Sequence, residues 1–552
     1  MELKTKQKNN IFSATMTEKP FRKILFLFAL ICGVVFIILG FNAGINPYDE
    51  GLITVGAEQI TNGNIPYNDF RTLYPPGQFY LFSVILSAFG NKLIIFRMAS
   101  VAINLMIAFY IMLITRKVFN RSSGILPFLL ASALLGGFGL YGRPSFTAVL
   151  FILIEIYYLL EFIDSRKSIN LLIAGATIGV ATLFRHDFGA YAFAATFLFL
   201  LSISIVNPDF RKKSAFISII REVFYFASGF IFVLLPYVFY LFYKVPTGEL
   251  YDALIAFPMQ IYPEYRSLPT PLRNLIATFS INSQSKNIRL FLEAAQFLIA
   301  MHLFMISILS IAKTFIKNRI EIKNKIHWKN LVIALTSLFL FHQAIYRSDF
   351  EHIIPALLIS LPLIEVFRRL LSKTKLRISF FYILVLLILI FPVTWKARDL
   401  SVFLNNNKTN YFTLPRAAGI RDAKDWVSNF NAACRLLKDS TKENEKIYIG
   451  SERHDKLVGC DVMAYYLAER LPATKYYELQ PGLTTTAKIQ NAIVFDLALN
   501  KVRYIMLVRQ QDVTEKNKSA VSSNVFILDD YIKSNFTLFR QFGAYSIYKK
   551  NE

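Results

Sequence analysis

Apolar residues gather in runs close to 20 long from residue 22 to residue 396, separated by short basic stretches. A helix of about 20 apolar residues spans the hydrocarbon core of a bilayer, and it leaves no backbone polar group unsatisfied there. The pattern therefore predicts a polytopic α-helical membrane protein. Three stretches are roughly twice one crossing in length, with a polar break at the centre and basic residues at both ends. Segment 124–163 carries YGRPS (141–145) between Lys117/Arg121 and Arg166/Lys167. Segment 169–206 carries RHD (185–187) between Arg166/Lys167 and Arg211/Lys212/Lys213, and segment 331–366 carries YRSDFEH (346–352) between Lys323/Lys325/Lys329 and Arg368/Arg369. Basic flanks mark the cytoplasmic side, so each reads as a helical hairpin whose polar tip points outward.

The single crossings at about 22–41, 93–115, 219–243, 289–312 and 378–396 keep the same parity. They bring the count to about eleven, with the N-terminus cytoplasmic, the C-terminus outside and the inner (plasma) membrane as location. The first run follows a basic tail, extends to about Gly40 and ends on no small-x-small cleavage site. It is predicted to be an uncleaved first helix rather than a signal peptide. Residues 76–90 open on Pro75-Pro76-Gly77, and no basic loop divides them from residue 93, so they read as an interfacial helix.

Composition agrees: 54% of the 552 residues are hydrophobic, too many for a soluble chain with one core. The net charge of +24 is accounted for by basic cytoplasmic loops and does not argue for a nucleic-acid partner. The predicted organisation is a membrane unit over 1–397, with outer loops 42–92 and 244–288, and an extracytoplasmic α/β domain over 398–552. In the latter, EKIYIG (445–450) and VRYIMLV (502–508) read as strands. Residues 460–470 and 485–500 have helical spacing, SNVFILDDYIKSNF suggests a helix, and FTLFRQFGAYSIYKK a hairpin turning at Phe542-Gly543. SERHDK (451–456) follows a strand end, where ligands of α/β sheets sit, although a solvated loop fits equally. No Walker or dinucleotide glycine pattern supports nucleotide binding. Cys434 and Cys460 pair if this region is outside, or remain two thiols; Cys32 lies in the first helix.

Parity places Asp49/Glu50, Arg143, Arg185-His186-Asp187 and Arg347/Asp349/Glu351/His352 on one outer rim. Ionisable groups at membrane depth are costly and mark candidate sites. Sugar transfer from a lipid carrier fits such a rim. The phosphate needs Arg or Lys donors, and the acceptor hydroxyl needs a carboxylate to take its proton as it attacks C1. On chemistry alone, helix capping explains Asp49 as well, because Pro47-Tyr48-Asp49 opens a helical stretch.

A first helix followed by Asp49-Glu50, a G-x-x-P-Y-x-D stretch from Gly63 to Asp69, YPPGQFYL, and then Gly90 and Arg97 resembles the GT-C glycosyltransferases. Closest in character are the protein O-mannosyltransferases and the lipid A aminoarabinose transferases. The motifs cover roughly residues 22–190. The resemblance implies Asp49 as catalytic base, with Glu50 positioning the acceptor or Asp49, a polyprenyl-phosphate sugar donor, inversion at C1, and a lipid, glycan or protein acceptor. Arg143 carries over as a donor-phosphate contact, with Arg185 beside it and Arg347 a weaker one. Many relatives read Arg-Pro-Asp where this chain has Arg143-Pro144-Ser145, so the second acid is expected at Asp187 or Asp349, with His186 and His352 completing a polar rim. The reading is catalysis without an obligatory metal; a divalent ion is left open, with rim ion pairing preferred. PEYRSLPTP in loop 244–288 suggests a segment ordered by substrate. The alternatives are a transporter or flippase of lipid-linked sugars, which would place charges across the midplane, and a polymerase or ligase, which shares the chemistry and the face. A non-catalytic membrane anchor leaves the charged tips unexplained.

Overall fold

The computed structural model describes residues 23–120, 123–137, 139, 141–206, 213–268, 284–318, 325–371, 375–405, 407–510, 512–513 and 515–552. The basic N-terminal tail, the Arg211/Lys212 flank, Lys323 and the second half of loop 244–288 lie outside these residues. Every segment read as a crossing coincides with a helix. The single helices are Lys23–Ile38, Leu93–Val118, Lys213–Lys244, Gln284–Asn318 and Lys375–Leu404. The hairpins are Ile125–Gly137 with Pro144–Ser165, Ser168–Phe184 with His186–Val206, and Lys325–Tyr346 with Phe350–Ser360, the last continuing to Leu371. Among the described residues, six helices are long and apolar enough to cross a membrane.

Each hairpin tip has its own local cause. At the first, Gly142 turns with φ +67°, Arg143 is extended, and Pro144 opens the next helix at its first position, where a missing N–H costs nothing. At the second, Arg185 is extended and ends the helix before it. At the third, Asp349 caps the following helix by accepting from the His352 N–H. Helices Ser168–Phe184 and Lys213–Lys244 touch backbone to backbone. A Cβ at Gly175 would lie 1.9 Å from the Phe226 carbonyl oxygen, and one at Gly229 would lie 2.0 Å from that of Leu172. Small residues make such close crossings in membranes.

Two further helices, Asp49–Thr61 and Gly77–Phe89, occupy the loop over residues 42–92. The last long helix runs beyond residue 397 to Leu404, so the structural change falls later than the compositional one. After it come β1 (Thr409–Tyr411) and β2 (Arg421–Ala423), an antiparallel pair, then helix Lys424–Ser440. A four-stranded sheet follows, with β3 (Tyr448–Ser451), β4 (Tyr504–Val508), β5 (Phe536–Phe542) and β6 (Tyr545–Lys550) in the order β3-β4-β6-β5. The β3–β4 pair is parallel and the others antiparallel, and the hairpin turns at Gly543 with φ +58°. β1, β2 and helix Lys424–Ser440 escaped the sequence reading.

This C-terminal region clamps helix Asp49–Thr61 onto the bundle. The Met463 N–H donates to the Pro47 carbonyl at 2.8 Å. A Cβ at Gly51 would lie 2.3 Å from the Met463 nitrogen, so only glycine permits this approach. Arg416 pairs with Glu58 at 2.7 Å further along. The cysteines are three free thiols, with Cys434 and Cys460 buried. SERHDK leaves Glu452 and Arg453 exposed, as a solvated loop would, but builds a latch from His454 and Asp455. His454 is fully buried between the Tyr448 hydroxyl (2.8 Å) and Asp529 (2.9 Å). Asp455 takes Arg453 and Ser522, which fastens the end of β3 to the segment before helix Ile527–Asn535.

Candidate active site

Asn46 shapes the start of helix Asp49–Thr61. Its Oδ1 accepts from the backbone N–H of Tyr48 (3.1 Å) and of Asp49 (2.8 Å), the bonds a helix N-terminus otherwise lacks. Among the described residues the Asp49 carboxylate accepts no backbone N–H, so the capping role expected as an alternative belongs to Asn46 instead. Asp49 Oδ2 accepts from Asn46 Nδ2 (2.8 Å) and from Arg143 Nη2 (2.9 Å). Its Oδ1 makes no hydrogen bond among the described residues, and the side chain is 27% exposed.

Glu50 points the other way, as successive helical residues must. It is buried, and Arg97 grips it through Nε (2.9 Å) and Nη2 (2.7 Å), while the Asn46 N–H donates to Oε2 at 2.9 Å. Arg97 spends its remaining donors on the carbonyls of Phe41, Ala43 and Gly44 and lies over the Tyr141 ring. The expectation that Glu50 positions the acceptor or Asp49 is therefore not met by its contacts: it is a buried staple, saturated by an arginine 47 residues away in sequence.

Arg143 bridges two acids. It makes a bidentate pair with Glu351 (2.6 and 2.8 Å) and reaches Asp49 with Nη2, the fork geometry that makes Arg–carboxylate pairs strong. The first and third hairpin tips thus meet at the helix that carries Asp49. Arg185 makes a second fork onto Asp187 (2.8 and 2.6 Å), and its Nη1 donates to the Ser145 hydroxyl at 3.1 Å. Ser145 is the residue that departs from the family pattern, and Asp187 is held on the same guanidinium. The Tyr74 ring lies 5.8 Å from this arginine. Burial and then the Asp49 charge push the Tyr74 hydroxyl up from its ordinary value.

Other rim residues sit apart. Arg347 bonds Asp349 (2.8 Å), Glu515 (2.9 Å) and the Arg266 carbonyl (2.6 Å), which stitches the third tip to the C-terminal region. Asp349 also takes His352 Nδ1 at 2.5 Å. Although burial alone would raise it, His352 and Arg347 hold Asp349 below its ordinary value. His186 buries an Nδ1 with no hydrogen-bond partner among the described residues. No group of three or more metal-ligating side chains occurs among those residues.

The sequence reading missed two residues. Arg266, at the end of the short helix Tyr262–Arg266, has buried Nε and Nη1 atoms that make no hydrogen bond among the described residues, and a Glu515 carboxylate oxygen lies 3.9 Å from Nη1. Its charge acts on the buried Tyr48 hydroxyl beside Asp49. Glu478 is buried nearby, accepts from Gln480 Nε2 at 3.0 Å, and is pushed up to about 7 by burial. The same Gln480 amide donates to Tyr48 at 2.6 Å. Arg266 carried one signal, its place in the PEYRSLPTP stretch; Glu478 carried none.

Residues 74–232 match the family model described as dolichyl-phosphate-mannose-protein mannosyltransferase. No curated protein matches the chain by sequence. Among solved structures, the chain is similar to ArnT from Cupriavidus metallidurans bound to undecaprenyl phosphate, at 11% identity and TM-score 0.52, covering 96% of this chain and 98% of that one. The apo state of ArnT gives the same identity and coverage with TM-score 0.53. An oligosaccharyltransferase of Archaeoglobus fulgidus, tethered with an acceptor peptide, is similar at 12% identity and TM-score 0.50, covering 96% and 74%. At these identities the likeness is one of fold. With the match over residues 74–232, it bears out the resemblance carried by the motifs: the chain resembles the GT-C glycosyltransferases, mannosyltransferases and ArnT among them.

Proposed function

We propose that the protein is an inverting glycosyltransferase that moves a sugar from a polyprenyl-phosphate carrier to an extracytoplasmic acceptor. The observation that carries this reading is Asp49: a partly exposed carboxylate fixed through one oxygen by Asn46 and Arg143, with its other oxygen uncommitted. The acceptor hydroxyl gives its proton to Asp49 Oδ1 as its oxygen bonds to C1 of the sugar. The bond from C1 to the phosphate oxygen breaks on the opposite face, and polyprenyl phosphate leaves. In this reading eleven helices cross the plasma membrane, the charged tips face outward, and residues after 404 form an extracytoplasmic domain that covers the acceptor.

Electrostatics reassign the phosphate contacts. Arg143 and Arg185 each hold a bidentate carboxylate, so an incoming phosphate has to displace one. Arg266 has two buried guanidinium nitrogens that make no hydrogen bond among the described residues, a valence that a phosphate entering beside them would satisfy, and it becomes the first phosphate contact. The weak Ser145 bond leaves Arg185 Nη1 as the second. Asp187 is the candidate for the second acid, because it shares the Arg185 guanidinium with Ser145, the residue that stands where the family's acid would.

Transfer from radiolabelled polyprenyl-phosphate sugars is the test, in membranes holding wild type or Asp49→Asn. The expected result is transfer by wild type with inverted configuration, reduced by about 100-fold or more in the variant. Undiminished transfer by the variant removes Asp49 as the base. No transfer from any donor by wild type removes the transferase reading itself.

A further inference from the structure

Helix Asp49–Thr61 has a second polar neighbourhood at its far end. There a cleft of about 520 Å³ opens between the first outer loop and the C-terminal region, with Gln59 on its wall. The volume falls within the range of small-molecule sites, roughly 300–1,000 Å³. Asn64, Asn68 and Asp69 line one side, and Lys446, Tyr476 and Phe495 the other. Phe495 is 65% exposed on helix Ala487–Leu499, so its ring serves no core. The amides are held in place: Asn64 Nδ2 donates to Gln59 and Asn68 Nδ2 to Asp69 at 2.8 Å. Their carbonyl oxygens make no hydrogen bond among the described residues, and Lys446 pairs with no carboxylate among them.

A sugar ring has an apolar C–H face and a rim of hydroxyls, each both donor and acceptor. An exposed aromatic face beside amides, a carboxylate and one ammonium matches both parts. Other ligand classes match less well. For a phosphate the charge is wrong, because Asp69 and Asp496 face the cleft and Lys475 is committed to Glu249 at 2.9 Å. For an extended peptide the strand edge is covered, since Pro472 already bridges Ile447 beside β3.

Position links the cleft to the base. Gln59 lies ten residues beyond Asp49, about 15 Å along the helix. The segment 474–480 forms a continuous wall: Thr474 and Tyr476 line the cleft, while Gln480 reaches Tyr48 and Glu478 beside Asp49. We propose that this cleft binds the distal saccharide units of a glycan acceptor whose reacting end lies at Asp49. The proposal rests on the transferase reading and names its acceptor class.

Saturation-transfer NMR on the full-length protein in nanodiscs tests it, with maltotetraose, N-acetylchitotetraose and their monosaccharides at millimolar concentration. The expected result is saturation of a tetrasaccharide, weakened about fivefold or more in Phe495→Ala, weakened in Asn68→Ala, restored in Phe495→Trp and retained in Asp49→Asn. Thermal unfolding of each variant shows that the fold is intact. Absence of saturation in both tetrasaccharides overturns the proposal, as does a signal unchanged by Phe495→Ala and Asn68→Ala together. Saccharide binding that persists in a protein incapable of transfer leaves the cleft standing and removes only the transferase reading.

Discussion

Asp49 and Glu50 are adjacent in sequence, both acidic, and both paired with arginine, yet they occupy different physical worlds. Glu50 and Arg97 are 2% and 1% exposed, and both carboxylate oxygens are used. Asp49 and Arg143 sit at the rim with 27% and 16% of their side chains exposed, and one oxygen of Asp49 is left over. Ion pairing alone therefore distinguishes nothing here. What separates a staple from a site is uncommitted valence together with access, and uncommitted valence is also what sets Arg266 apart from Arg143, Arg185 and Arg347.

The largest effect is expected where the staple is broken. Glu50→Ala leaves Arg97 buried and uncompensated, a loss of about 3–5 kcal/mol, read as a collapse in thermal unfolding temperature and in folded yield. A stable Glu50→Ala protein that had lost only transfer would reverse the assignment of the two acids. Next comes Asp49→Asn, expected to keep its unfolding temperature while losing about 100-fold in transfer; the contrast between these neighbours is the sharpest check on the comparison. Arg266→Gln removes two charge-assisted hydrogen bonds to phosphate, about 1.5–3 kcal/mol, and is expected to raise the KM for donor roughly tenfold or more with stability unchanged.

The smallest predicted effect concerns pH. Burial pushes Glu478 up to about 7 from an ordinary 4.5, so the fold favours its neutral form. Its stabilising share is complete below the ordinary value and is lost as pH rises through about 7. Unfolding temperature measured from about pH 5 to about pH 8 is expected to fall for wild type relative to Glu478→Gln, by the equivalent of about 1–2 kcal/mol. Parallel curves would mean that Glu478 is already ionised and paired.

Much of this was legible beforehand. Apolar run length and basic flanks located the helices, and the three polar breaks fell at the three turns between hairpin arms. β-Branched and aromatic content located β3 and β4, and Gly543 marked the terminal hairpin. The partners were not legible. Arg97 sits inside an apolar helix, Glu351 lies 208 residues beyond Arg143, and Glu478 comes from the C-terminal region. A sequence shows which groups are costly to bury; only packing decides which of them are satisfied. SERHDK makes the same point in reverse, since a charged strand-end loop turned out to spend its polar groups on its own fold.

Gly51 against Met463 has a consequence in time. The helix that presents Asp49 is made some four hundred residues before the segment that builds its seat. Until that segment is made, Asn46 and Arg143 can already grip the carboxylate, but the helix lacks the backbone seat that fixes its place on the bundle. A chain ending at residue 397 is expected to insert its helices and transfer nothing. Under the proposed reading, the arrangement withholds activity until the seat at Met463 has been made.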